Sequence, residues 1–416
     1  MEKTLSILVV PDKGYPLQHP LLENIFNRIL PNRGHKVIWL LPSYDAKYFG
    51  ERCFWGNTEV YLTPFADNHD RLSQIKYLFY TTPRSKFQIM KIARKKNVDV
   101  IFVRNDLAAA IATYLTSRKM GIPFVFYLGF PKEEAIKVYA RRGWSRSRKL
   151  PQLYGPLAIL LKNWLIRRAD FVFTMSDFWR DKLIDELSLP TDQVLALPFG
   201  FDTTISPQKV EGSHIRKTFG LNGYPMILYI GAIGPPRDMT ILVDIMAKLV
   251  NRIPEIRLLI LVGARQDRFV FSLNKKFADH GLSKHIVFAP TVPSSEVPSY
   301  IAAADVGLSP IERCPIYDVS SPAKFVEMLG MGLPVVASDI PEQKKILEET
   351  RAGICVPFEA STFSDAIFYI LQNPSEAREM GKRGRQFVEN KRSFVLLANS
   401  VEETLTRIVE KKNAFK

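Results

Sequence analysis

The amino-acid sequence predicts an α/β protein made of two doubly wound, mostly parallel sheets in tandem. Three observations carry this. Short β-branched and aromatic runs alternate with amphipathic helical stretches along the 416 residues, as parallel strands joined by crossover helices do. The strand-like runs are short and apolar, and each half of the chain holds several of them. The pattern also stops at a Pro/Gly/Ser-rich connector, LPFGFDTTISPQKVEGS (197–213), and then starts again. This length suits two or three domains of ordinary size, each able to bury a core.

Taken in order, the first half offers SILVV (6–10), KVIWLLP (36–42), EVYLTPF (59–65), VDVIFVR (98–104), IPFVFYL (122–128), FVFTM (171–175) and VLALP (194–198) as strands. HPLLENIFNRIL, RSKFQIMKIARKKN and DLAAAIATYLTSRKMG carry helical spacing between them. Beyond the connector, MILYIGAIG, EIRLLILVGA, HIVFAPTV, ADVGLSPI, PVVASD and AGICVPF read as strands with helices between. The expected division is 1–200 for the first domain and 201–394 for the second. In such folds ligands sit at the carboxyl ends of the strands, here expected in a cleft between the domains.

Bulk properties exclude several classes. With 46% hydrophobic and 24% charged residues the chain has the composition of a soluble globular protein. Cys53, Cys314 and Cys355 are too few and scattered for a disulfide framework, which suits a reducing compartment. The opening MEKTLSILVVPDKG holds too short an apolar run for a signal peptide, and GPLAILLKNWLIRRAD (155–170) is broken by Lys162 and Asn163. A cytoplasmic location is the expectation. The six histidines form no metal-ligand spacing, and no phosphate-binding P-loop or nucleophile elbow is present. The loop after the first strand, PDKGYPLQHP, has one glycine, Gly14, which suits a turn as well as a ligand contact.

The charge is distinctive. Residues 1–200 hold 30 Lys/Arg against 18 Asp/Glu, so most of the net +15 sits in the first half. A basic half points to an anionic surface, nucleic acid or membrane. Nucleic acid would also require exposed aromatics on a recognisable module, and only the charge is present. YARRGWSRSRKLPQLYGPLAILLKNWLIRR (139–168) interleaves cations with Trp144, Trp164 and an apolar face. This suits a membrane interface, and equally an amphipathic helix packed on its own domain.

The stretch with most local chemistry is SSPAKFVEMLGMGLPVVASD (320–339). Ser321 is expected as the N-cap and Pro322 at the first helical position. Gly330 and Gly332 are stop residues before a buried strand. Phe325, Met328 and Leu329 take core spacing, while Lys324 and Glu327 stand three apart on the other side. An isolated K-x-x-E is ordinarily a surface ion pair. A helix start backed by a lysine is also an anion site.

Read together, ADFVFTMSDFWRDKL, LPFGFD, ILYIGAIG with Arg237 following, LLILVGA, TVPSSEVPSYIAAADVGLSPI and the 320–339 stretch resemble glycosyltransferase family 4. These are retaining sugar transferases of the GT-B fold, two Rossmann-like domains facing across a cleft. The resemblance runs over roughly residues 165–390. The first half matches in architecture and in GHKVIWLLP (34–42). In that fold the last helix crosses back onto the first domain, and VLLANSVEETLTRIVEKK (395–412), within about 395–416, has the pattern for it.

The resemblance implies a nucleotide-diphosphate sugar as donor, its diphosphate over the helix start at Ser321. Arg237 and Lys324 would neutralise the leaving diphosphate, and Glu327 would hold the ribose hydroxyls. Such cations stabilise charge where it develops, with no cofactor or metal required. Further donor contacts implied are Gly231, Gly234 and Gly263, then Thr291, Val292 and Pro293, then Ser320, Pro322 and Ala323. Gly14, Tyr15, Asn105 and Tyr127 are implied on the acceptor side. Two departures stand out. The family's first motif glutamate falls on Val319, beside Asp318, and its histidine is replaced by Tyr127-Leu128-Gly129. A glycan or lipid-linked acceptor at an inner-leaflet surface is the leading expectation, with cell-surface polysaccharide or glycolipid synthesis as setting. A sugar-nucleotide epimerase of the same fold lacks its expected acid and histidine set. The missing glutamate motivates a non-catalytic binding module, against which the retained Lys324, Arg237 and Glu327 speak.

Overall fold

The computed structural model describes residues 4–43, 52–64, 72–141, 149–234, 237, 239–263 and 267–414. They form two compact units, one of Met1–Pro198 with Phe394–Lys416, the other of Phe199–Ser393.

The first unit is built on β1 (Ser6–Val10), β2 (Lys36–Ser43), β3 (Arg52–Trp55), β4 (Thr58–Pro64), β5 (Val100–Arg104), β6 (Phe124–Leu128), β7 (Phe171–Thr174) and β8 (Val194–Ala196). Their order across the sheet is β3-β4-β2-β1-β5-β6-β7-β8. All pairings are parallel except β3 on β4. β1, β5 and β6 are buried at every residue, so their apolar runs are what a sheet covered on both faces requires. β3 is an addition to the expected strands. It is an antiparallel edge whose residues alternate in exposure, with Phe54 65% exposed, and its short RCFW sequence carries no buried run.

Crossover helices are set by ordinary end signals. Asp106 caps Leu107–Met120 by accepting from the Ala109 N–H at 2.9 Å, and Gly121 ends it at φ +68°. The Phe394–Asn413 helix belongs to this unit. Glu402 on it pairs with Arg33 and, at 2.7 Å, with His35 Nε2, while Lys412 reaches Asp170 at 2.7 Å. His35 Nδ1 accepts the Leu5 N–H at 3.2 Å, so one imidazole ties this helix to the foot of β1.

In the second unit β9 (Met226–Gly231), β10 (Arg257–Val262), β11 (Ile286–Ala289), β12 (Val306–Ser309), β13 (Val335–Ser338) and β14 (Gly353–Val356) pair in the order β11-β10-β9-β12-β13-β14, all parallel. The two-residue period of β9 divides the core. Met226, Leu228 and Ile230 pack with Phe325, Met328 and Leu329 on one face. Ile227 and Tyr229 pack with Leu242, Ile245 and Phe277 on the other. Each such fully buried side chain stabilises by roughly 1.5–3 kcal/mol relative to exposure. The strand order reverses between β9 and β12, so the loops leaving these two strands flank the crevice where doubly wound sheets take ligands.

Candidate active site

Beyond the carboxyl end of β9 at Gly231, Gly234, at φ +120°, exchanges backbone hydrogen bonds with Arg237. This returns Arg237 to the strand end. Its guanidinium hydrogen-bonds the hydroxyls of Tyr229 and Tyr317, with Cζ 5.4 Å from the Tyr317 ring centroid. Burial works against the guanidinium charge, and the two phenol oxygens more than restore it, so its pKa lies above the ordinary arginine value. Burial likewise keeps the Tyr229 phenol above its usual pKa, against the pull of Arg237. The Tyr229 phenol therefore keeps its proton, and Arg237 forms no ion pair among the described residues.

The second wall is the loop after β12. Ser320 donates to the Tyr317 carbonyl at 2.7 Å, which sets the turn into the Ala323–Gly330 helix. That helix starts one residue later than expected. Pro322, at φ −73° and ψ 110°, is the cap residue, and no side chain caps the helix. Ser321 is taken elsewhere: its Oγ accepts the Phe199 N–H at 3.2 Å and lies 3.3 Å from Glu342 Oε1. The first helical N–H groups, from Ala323 on, are thus left without a side-chain acceptor. Gly330 is the last helical residue, and Gly332, at φ +72°, makes the left-handed turn into β13.

Lys324 donates to both oxygens of Glu327, at 2.9 and 2.8 Å. The pair is partly exposed, with side chains 32% and 17% accessible. Val319 is buried, and Asp318 is held by Arg313 at 3.0 and 3.3 Å. No free carboxylate thus stands at the position of the missing glutamate.

Gly263 donates its N–H to the Gly231 carbonyl at 3.0 Å, and Thr291 Oγ1 donates to the Val262 carbonyl at 3.1 Å. The carboxyl ends of β9, β10 and β11 are so tied together. Val292 and Pro293 follow in the same loop, Thr291 and Pro293 exposed. Arg237, Gly231, Gly234, Gly263, Thr291 and the 320–324 turn therefore share one end of one sheet. The sequence reading missed Tyr229 and Tyr317, because a tyrosine inside ILYIG reads as core and nothing local marks the other.

The acceptor-side residues lie in the first unit, at the same end of its sheet. Asn105, at φ +54°, accepts the Gly129 and Phe130 N–H groups at 2.7 and 3.1 Å. Tyr15 pairs its N–H with the Pro42 carbonyl at 2.8 Å, and Gly14 is buried beside it. Tyr127 is fully buried and donates to the Leu197 carbonyl at 3.1 Å, so it is core and offers no hydroxyl to a ligand. The sequence reading overlooked Asp12, which pairs with Arg104 and, at 2.6 Å, with Lys132. Its place just after β1 in PDKG was the available signal.

Comparisons with known proteins bear on this geometry. Residues 224–373 match a family model described as Glycosyl transferases group 1, and residues 27–205 one described as Glycosyltransferase Family 4. An alpha-D-kanosaminyltransferase of Streptomyces kanamyceticus is 25% identical over 279 residues, 65% of this chain and 67% of the relative. A GDP-mannose-dependent alpha-(1-6)-phosphatidylinositol monomannoside mannosyltransferase of Mycolicibacterium smegmatis is 26% identical over 223 residues, 53% of this chain and 57% of that one. The chain thus spans about two thirds and rather more than half of these relatives' lengths. Among solved structures, a sucrose-phosphate synthase from Thermosynechococcus elongatus superposes with a TM-score of 0.77 at 16% identity, covering 98% of this chain and all of the other. Anabaena HepE in complex with UDP and glucose gives 0.69 at 17% identity, covering 97% of this chain and all of the other. At these identities the structural likeness concerns the fold.

Proposed function

Because the chain belongs to the group 1 and family 4 glycosyltransferases and has their GT-B fold, we propose that it moves a sugar from a nucleotide-diphosphate sugar to a glycan or lipid-linked acceptor with retention at the anomeric carbon. The carrying observation is Arg237. It is a cation held between the phenols of Tyr229 and Tyr317, at the strand ends that also hold the uncapped Ala323–Gly330 helix start. Holding an unmatched positive charge there favours a polyanion. HepE has been crystallised with UDP and with UDP-glucose, and the mycobacterial relative is named for GDP-mannose.

In this reading the bond between the anomeric carbon and the β-phosphate oxygen breaks, and negative charge builds on the diphosphate. Arg237, Lys324 and the helix N–H groups stabilise that charge where it develops. The acceptor oxygen bonds to the anomeric carbon on the same face, and its proton passes to the departing phosphate oxygen. Glu327 accepts hydrogen bonds from the ribose hydroxyls, which suits a carboxylate. Thermal shifts with UDP, GDP, ADP and CDP test the donor site. One base should raise the melting temperature in wild type and not in Arg237→Met. A flat panel would overturn the reading.

A lipid-linked acceptor is favoured by the Lys149–Ile166 helix. Leu157, Leu160 and Trp164 share one face and are 63%, 66% and 37% exposed, with Arg168 over Trp164 at 4.3 Å. Such a face can lie in a membrane interface. Most of the basic run before it, 142–148, lies outside the described residues. No helix among the described residues is long and apolar enough to cross a membrane. In this reading the protein binds the cytoplasmic face of a membrane peripherally. Co-flotation with liposomes of varied anionic lipid content and salt should show salt-sensitive binding, reduced in Leu157→Ser/Leu160→Ser. Absence of flotation at low salt would leave the acceptor soluble.

A further inference from the structure

Three polar groups meet across one glycine at the end of β9. The Tyr229 hydroxyl donates its single proton to the Ala232 carbonyl at 2.9 Å. Its oxygen lone pairs are then left for Arg237, which donates to it. A Cβ on Gly231 would stand 2.7 Å from Tyr229 Oη and 3.5 Å from Arg237 Nη1. The bare glycine is therefore what lets the phenol reach the guanidinium. Tyr317 supplies a second hydroxyl acceptor and a ring over which the guanidinium lies, Cζ 5.4 Å from the centroid, and its carbonyl anchors Ser320 at the approach to the Ala323–Gly330 helix.

A guanidinium must be held in place if it is to meet a phosphate at fixed geometry. A carboxylate partner would hold it and also cancel its charge, as Glu327 does for Lys324. Phenols hold it by neutral hydrogen bonds and leave the charge in force. Nearby Asp318 is turned away into its pair with Arg313, and the neighbouring Val319 carries no charge.

We propose that Tyr229 and Tyr317 are positioning residues that clamp Arg237, aiming its undiminished charge at the β-phosphate of the donor. This rests on the donor-site reading above. In the bound state Tyr317 couples the two walls, because the residue that braces Arg237 also fixes the turn into the helix.

The test is calorimetric titration of wild type, Tyr229→Phe, Tyr317→Phe and Arg237→Met with UDP, UMP, GDP and GMP. For the preferred base, each Tyr→Phe variant should weaken the diphosphate about five- to tenfold, the worth of one neutral hydrogen bond. The monophosphate should be unchanged. In the Arg237→Met background the same substitutions should cost nothing further, since the clamped group is gone. Melting curves report folding, and Tyr317→Phe keeps the test open should Tyr229→Phe not fold. Equal weakening of mono- and diphosphate, or losses that add to that of Arg237→Met, would show a general packing role and overturn the clamp. Unchanged diphosphate affinity in both Tyr→Phe variants overturns it while leaving the donor site standing. If Arg237→Met itself keeps full diphosphate affinity, the donor-site reading fails first.

Discussion

Arg392 donates to Glu342 Oε1 at 2.7 Å, and both side chains are almost wholly buried. Glu342 also meets Ser321 Oγ, which accepts the Phe199 N–H, and the Arg392 carbonyl accepts the Phe201 N–H at 2.9 Å. The segments by which the chain enters and leaves the second unit are so bound to Ser321, just ahead of the cap residue Pro322. Arg392→Met would take the cation from a buried carboxylate, and should lower that unit's stability by up to about 3–5 kcal/mol. Urea unfolding checks this. Arg392→Met/Glu342→Leu should recover most of the loss, and a single variant as stable as wild type would show that Glu342 finds another partner.

Lys324→Ala should separate the two readings of the K-x-x-E pair. As a partly exposed i,i+3 ion pair it is worth at most about 1 kcal/mol of stability. As a donor contact its removal should lower turnover about 10²–10³-fold. Melting temperature and steady-state rates on the same preparation decide, and a mutant within threefold of wild-type turnover would return the pair to ordinary surface chemistry.

Glu327→Ala should act on affinity more than on rate, because ribose hydroxyls change little toward the transition state. Titration calorimetry should show the free nucleoside diphosphate weakened by roughly 1.5–3 kcal/mol, the range for a hydrogen bond to a charged group. Unchanged affinity would leave Glu327 only as the partner of Lys324.

Burial opposes the Asp12 charge, but Arg104 and Lys132 outweigh it and hold the carboxyl well below the usual carboxylate range. A group depressed in the fold stabilises above its unfolded value and loses that contribution as pH falls. The first unit should therefore weaken from about pH 4 downward. Asp12→Asn should flatten this acid slope and, by leaving Arg104 buried without its carboxylate, cost about 3–5 kcal/mol at neutral pH. Fluorescence of the buried Trp39 follows both, and an acid slope identical in the variant would assign it to other carboxylates.

What the sequence disclosed follows from how local each signal is. Runs such as SILVV and the LLILV of β10 need no partner to be read, because strand residues buried on both faces must be apolar. RCFW failed that test because its partner covers one edge only. The misplaced cap has a tertiary cause. SSPAK carries the local signal for Ser321 as cap, but a backbone N–H 122 residues earlier claims its hydroxyl. The clamp on Arg237 was illegible for the same reason, since Tyr229 and Tyr317 acquire meaning only when β9 and the loop after β12 lie side by side. Lys324, Glu327 and Arg237 could be named beforehand only because the family resemblance of their motifs pointed to them.

The helix Phe394–Asn413 completes the first unit, yet it follows the whole of the second in the chain. During synthesis Arg33 and His35 therefore emerge long before Glu402, their carboxylate partner. The first unit must wait, with the face that receives this helix uncovered, while the second is made. The second unit has all its strands between Phe199 and Ser393 and draws on no later segment. The first unit is thus begun first and completed last, because a segment made after the whole of the second must return to it.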